Sequence, residues 1–153
     1  MTERQTISSG APWESIYGYS RAIRVGNLVY VAGTTASDEQ GNVIGIGDVY
    51  AQTAYALQKI GRALNAAGAS FADVVRTRTF TTDISRWEEV ARAHSEVFGA
   101  IRPVSTLVEV SRLIDRAQLV EIEVDAVILK EIEPQRPQRS RRKAVFSLWC
   151  PCG

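Results

Sequence analysis

Ala22-Ile-Arg-Val-Gly-Asn-Leu-Val-Tyr-Val-Ala-Gly33 places an apolar run on each side of Gly26-Asn27. Two-residue turns need positive φ, which glycine and asparagine adopt at least cost, so the stretch reads as a β-hairpin. Downstream, small and apolar residues recur at Ala54, Leu57, Gly61 and Leu64, which predicts a helix from about Val49 to Ala67. Asp48 is placed to cap its start and Gly68 to end it. Val74 to Thr82 alternates as a strand. Ser85-Arg-Trp-Glu88 has the spacing of a capping box, after which Trp87, Val90, His94 and Val97 share one face of a second helix that ends near Phe98. On that face Trp87 reads as a helix-to-sheet anchor and His94 as a core histidine rather than a general base. Ser105 to Val110 and Leu119 to Leu129 read as two further strands joined by a loop through Asp115. Strand pair, helix, strand, helix, strand pair implies an α+β sandwich with a mixed sheet and both helices on one face.

The chain has 153 residues, 45% of them hydrophobic and 23% charged, which fits a single globular domain. At this size a chain buries about two-thirds of the surface it exposes unfolded, so a core forms without disulfides or metal. Both cysteines lie in Cys150-Pro-Cys152 and the sole histidine is His94, so a multi-ligand zinc centre or a Ser-His-Asp triad lacks material. The expectation is no metal. The apolar runs fall short of the roughly 18–20 residues that span a bilayer, and the N-terminus lacks a signal-peptide pattern. A cytoplasmic protein with no membrane partner is expected.

Residues 1–130 carry 13 Lys and Arg against 15 Asp and Glu, a balance that argues against nucleic acid as a partner. Composition changes after Lys130. Residues 131–153 are basic and proline-bearing at first, and read as a disordered tail behind a domain of residues 1–130. Within the tail, Arg136 to Lys143 reads as a solvated run, and the two cysteines as an adventitious thiol pair.

On the last strand Val120, Ile122, Val124 and Ala126 share one face, and Glu121, Glu123 and Asp125 the other. The same parity groups Arg76, Arg78 and Phe80 on Val74 to Thr82, and sets Glu109 opposite Thr106, Val108 and Val110. The face away from the helices therefore carries acidic and basic rows. It reads either as a solvated surface with cross-strand ion pairs or as a subunit interface with a pocket between protomers.

Four blocks carry a resemblance: Ser20-Arg-Ala-Ile-Arg-Val-Gly-Asn-Leu-Val-Tyr-Val-Ala-Gly-Thr34, Asp73-Val-Val-Arg-Thr-Arg78, Arg102-Pro-Val-Ser-Thr-Leu-Val-Glu-Val-Ser-Arg-Leu113 and Val120-Glu-Ile-Glu123. In this order, over roughly residues 5 to 129, they resemble the Rid family of reactive intermediate deaminases, also called YjgF-like. The resemblance implies a chorismate-mutase-like fold and a homotrimer with a site in each intersubunit cleft. It also implies cofactor-free hydrolysis of reactive enamines and imines to a keto acid and ammonia.

Carried over residue by residue, Tyr19 matches the family's site tyrosine and Glu121 its water-positioning glutamate. Gly33 and Thr34 continue the cleft strand. Ala32 stands where a serine is common and Ala91 where an asparagine is common. Ser105, in Pro103-Val104-Ser105-Thr106, stands where active members have the arginine that holds a substrate carboxylate. A serine offers one neutral hydrogen bond where arginine offers a bidentate, charge-assisted pair. Arg102 and Arg78 are candidate replacements for that cation, with ion pairs to Glu109, Glu121 or Glu123 as the competing assignment, while Arg112 reads as closing a loop. Tyr19 reads equally as a packed surface ring, and Glu121 as one of a solvated row.

Two functions follow. The first is an enzyme that deaminates an enamine, imine or related small metabolite, its substrates shifted away from plain amino-acid imines by Ser105. The alternative is a trimer that binds a small metabolite without catalysis. A third, ribonuclease activity, is opposed by the acidic balance.

Overall fold

The hairpin forms around Gly26, whose φ is +61°, with Val25 paired to Leu28 across the turn. The structure, a computed structural model, describes residues 3–129. The tail expected from residue 131, with its basic run and Cys150-Pro-Cys152, lies outside the described residues.

The strands are β1 (Arg4–Ile7), β2 (Ala22–Val25), β3 (Leu28–Thr35), β4 (Val74–Thr81), β5 (Val104–Glu109) and β6 (Val120–Val127), and the helices are α1 (Pro12–Tyr17), α2 (Val49–Ala66) and α3 (Trp87–Phe98). The sheet order is β1-β2-β3-β6-β4-β5. Only β4 and β5 are parallel, and α3 is the crossover that joins them. The mixed α+β sheet expected from the sequence is the one observed.

Val120, Ile122, Val124 and Ala126 of β6 are at most 1% exposed and pack with Ala56, Leu57, Ile60, Ala63 and Leu64 of α2 in one apolar cluster, which Val90 and Phe98 of α3 join. Asp48 caps α2 as expected, accepting from the Ala51 amide at 2.8 Å.

Where helix meets loop, a polar side chain closes the core. Gln52 is fully buried; its Nε2 donates to the carbonyls of Gly45 (3.2 Å) and Ala117 (2.8 Å), and its Oε1 accepts from the Leu119 amide (2.7 Å). Gln52→Leu keeps the volume but strands those three backbone groups, so urea unfolding should show a loss of about 2 kcal/mol. An unchanged midpoint would mean that the groups find other partners.

Three expectations are corrected. The Ser85–Glu88 capping box does not form. Asp83 accepts from the Ser85 amide (3.0 Å) and hydroxyl (2.5 Å), a 3₁₀ turn over Ile84–Arg86 follows, and α3 starts at Trp87. Trp87 is no anchor, being 51% exposed; Val90, Ala93 and Phe98 are the buried residues of α3. β1 and α1 are additions to the elements expected from the sequence. In α1 the apolar residues Trp13, Ile16 and Tyr17 point outward, so no core-facing period marks the helix.

Candidate functional site

The site begins at an irregularity in β3. Val31 pairs with Val124 and Thr34 with Ile122, so one extra residue is accommodated in a bulge through Ala32 and Gly33. Arg21, 7% exposed and just ahead of β2, fills the space behind it. Its Nη1 donates to the carbonyls of Gly33 (2.8 Å) and Ala32 (3.4 Å) and to Thr34 Oγ1 (2.9 Å), and its Nη2 to the Tyr19 hydroxyl (2.8 Å). The guanidinium also lies 5.3 Å from the Tyr19 ring centre. Among the described residues, the buried Nε of Arg21 has no partner.

Gly33 faces Glu121. A Cβ at residue 33 would overlap the Glu121 carboxylate, so the absence of a side chain lets this acid lie against the bulge. Glu121 is half-buried, opposite Thr35 on β3 and Phe80 on β4. Its carboxylate has no hydrogen-bond partner among the described residues. Burial, and then the neighbouring Glu123, pushes its carboxyl above the usual range, while Arg21 pulls weakly the other way. The arrangement is a carboxylate with free lone pairs beside a fixed cation and a phenol, which suits it to hold a water molecule and accept its proton.

The structure thus brings Tyr19, Ala32, Gly33, Thr34 and Glu121 together around Arg21. Arg21 lies inside one of the recognisable blocks, but an arginine at a strand's entry has no sequence pattern that distinguishes burial from exposure.

The other expected residues lie elsewhere. Arg78 is held by Glu123 and by both oxygens of Asp125 (3.2 and 3.3 Å), so its charge is spent within the sheet face. Arg102 is exposed with φ of +55°, and its amide and Nε donate to the carbonyls of Phe98 and Gly99 at the end of α3. Thr106 pairs with Arg78 and is exposed on the charged face. Ser105 pairs with Thr77 and so points to the helix side, toward α3, which also carries Ala91. Ser105 and Glu121 therefore lie on opposite faces of the sheet, with β4 between their strands.

His94 is half-buried, tilted on Phe98 with ring centres 4.7 Å apart, and its Nε2 lies 3.0 Å from Thr77 Oγ1. His94, expected in the core, lies instead at its margin, beside Phe98 and hydrogen-bonded to Thr77. Among the described residues no group of His, Cys, Asp and Glu is arranged to hold a metal ion, and no helix is long and apolar enough to cross a membrane.

On the charged face, Tyr30, Val104 and Val108 are 47%, 63% and 40% exposed beside the ion-paired rows. These side chains leave large apolar groups exposed next to paired charges on this face.

A sequence model of the family described as Endoribonuclease L-PSP matches residues 9–128. The crystal structure of Rv2704 from Mycobacterium tuberculosis, described as a member of the YjgF/YER057c/UK114 family, is similar with a TM-score of 0.76 and 53% identity, over 82% of this chain and 100% of that one. The uncharacterized protein SCO2049 of Streptomyces coelicolor is 40% identical over 121 residues, 78% of this chain and 89% of that protein. The 3-aminoacrylate deaminase RutC of Acinetobacter baylyi is 34% identical over 104 residues, 68% of this chain and 82% of that protein.

Proposed function

We propose, since this chain belongs to the Rid (YjgF-like) family, that it hydrolyses a reactive enamine or imine to a carbonyl compound and ammonia, at a site assembled from two copies of the chain in a homotrimer. The observation that carries the reading is Glu121: a half-buried carboxylate, unpaired among the described residues, resting on a glycine beside Arg21 and Tyr19. The relative named a 3-aminoacrylate deaminase supports the same class of reaction.

The chemistry needs little more than positioning. The Glu121 carboxylate accepts a proton from water while the water oxygen attacks the imine carbon and the C=N π pair moves to nitrogen. The proton held by Glu121 passes to nitrogen, giving the neutral carbinolamine. The carboxylate then takes the proton of the carbinolamine hydroxyl and delivers it to the same nitrogen as the C–N bond breaks, so both protons of the water end on nitrogen and the products are a carbonyl compound and ammonia. The Tyr19 oxygen already accepts from Arg21, so its own proton is free to be donated to substrate. Arg21 also fixes the bulge that sets Gly33 against the acid.

Two copies are invoked because one chain holds Glu121 and Ser105 on opposite sheet faces, and the exposed Tyr30, Val104 and Val108 supply an apolar surface for assembly. The unpaired carboxylate of Glu121 opposes a phosphate at this site and supports a small-molecule substrate over RNA.

The test is the loss of imines generated by an amino-acid oxidase or an amine oxidase, with semicarbazide competing for the imine. Acceleration by the wild-type protein is expected on at least one substrate. No acceleration on any of them would leave the metabolite-binding alternative.

A further inference from the structure

We propose that Ser105, backed by Thr77 and His94, is a specificity-determining hydrogen-bond donor that selects a substrate presenting an uncharged carbonyl, such as an amide or ester, where other members of the family take a carboxylate. The inference rests on the two-copy reading for the location of substrate, and on the following geometry for the rest.

Thr77 Oγ1 donates to Ser105 Oγ at 2.9 Å, and the same oxygen lies 3.0 Å from His94 Nε2. A threonine hydroxyl has one proton. With that proton given to Ser105, Thr77 can only accept from His94, so His94 carries its proton on Nε2. The three groups form one directional chain, from the imidazole N–H through Thr77 to Ser105. The last hydroxyl accepts from within and keeps its own proton for an acceptor outside. Thr77 is fully buried, whereas Ser105 is exposed on the edge strand β5. The chain therefore passes through a fully buried hydroxyl and opens on the surface.

Each link polarises the next, so the terminal hydroxyl is a better donor than an isolated serine, yet the chain supplies one donor and no formal charge. Burial holds the His94 imidazole below its ordinary pKa, which keeps the chain neutral at neutral pH. Of the arginines the sequence offered as substitutes, Arg78 is bound by Glu123 and Asp125 on the opposite face, and Arg102 donates its Nε to the carbonyl of Gly99 with its charge exposed to water. A carboxylate brought to Ser105 would lose hydration for a single neutral hydrogen bond, whereas a carbonyl oxygen is matched by it. A donor that requires a partner also disfavours substrates lacking an acceptor at that point.

His94 is the sole histidine of the chain, so its ring gives one unambiguous set of nitrogen-15 and proton NMR signals. The probes are pyruvamide and pyruvate, which differ in the group offered to Ser105. Pyruvamide is expected to move the His94 signals saturably, with an affinity at least about fivefold higher than that of pyruvate, on the scale of one neutral hydrogen bond. Ser105→Ala and Thr77→Val should each abolish that response and weaken pyruvamide binding about fivefold. The double variant should be no weaker than either single one, because Thr77 is a positioning residue that acts through Ser105.

Equal or tighter binding of pyruvate, an absent response, or a response that survives Ser105→Ala would overturn the proposal. Ser105→Ala keeps the test decisive if Thr77→Val does not fold. Since binding is read without turnover, failure of the hydrolysis reading appears separately, as an absence of imine loss in a protein whose His94 still responds.

Discussion

Glu121→Gln is expected to reduce imine hydrolysis by about 10²–10⁴-fold, the usual contribution of a positioned proton acceptor, while the protein stays folded. Glutamine occupies nearly the same space against Gly33 but cannot take a proton from water. The wild-type enzyme should lose rate as pH falls through the Glu121 pKa. Because burial and Glu123 raise that pKa, the fall should set in above the ordinary carboxylate value of 4.5.

Stability should move the other way. A carboxyl whose pKa is higher in the folded than in the unfolded chain contributes most below its unfolded pKa, and the contribution is lost as pH rises through the folded value. Glu121→Gln should therefore melt at a higher temperature than wild type at neutral pH, with the difference closing as pH approaches the unfolded pKa. Thermal unfolding at several pH values, alongside the imine assay, checks both signs. A variant that keeps its rate would remove Glu121 from the mechanism.

Gly33→Ala tests the same site without touching a titratable group. An added Cβ would overlap the Glu121 carboxylate and come within 2.9 Å of its Cδ and 3.3 Å of its Cγ. The acid must swing away, and a displacement of about 1 Å at a reacting group can cost roughly 10²-fold in rate. The backbone at residue 33 is not in the left-handed region, so alanine strains nothing else there. The expected result is a rate lower by about 10²-fold with a melting temperature close to wild type. Full activity would show that the position of the carboxylate over Gly33 is irrelevant to catalysis.

Much of this architecture is legible in the order of residues. β6 alternates strictly because one face meets α2 and the other does not, and the Gly26-Asn27 turn announces itself through backbone chemistry. β1 and α1 escape because their residues are mostly exposed and impose no period. The start of α3 is displaced because Asp83, two residues ahead of Ser85, captures the amide that the capping box would have used.

The site is less legible than the fold. Tyr19, Gly33 and Glu121 stand out through likeness to known relatives, but Arg21, which ties the bulge to Tyr19, carries no periodic signal. That Ser105 faces away from Glu121 depends on the register of β5 against β4 and of β4 against β6, which pairs residues distant in sequence. The Ser105–Thr77–His94 chain follows from that register too, since His94 looks from sequence like any residue on an apolar helix face.

Subunit mixing tests the two-copy site most directly. Glu121→Gln disables the half of the site built around Gly33, and Ser105→Trp blocks the half built on β5, so assemblies of either variant alone should be inactive. Co-expressed with different tags and isolated as mixed assemblies, they contain clefts that join an intact Glu121 from one parent to an intact Ser105 from the other. Every mixed trimer, whichever variant it holds two copies of, has one such cleft among its three, so the isolated mixed assemblies should recover roughly a third of the wild-type rate. Mixed assemblies no more active than their parents would contradict a site shared between copies.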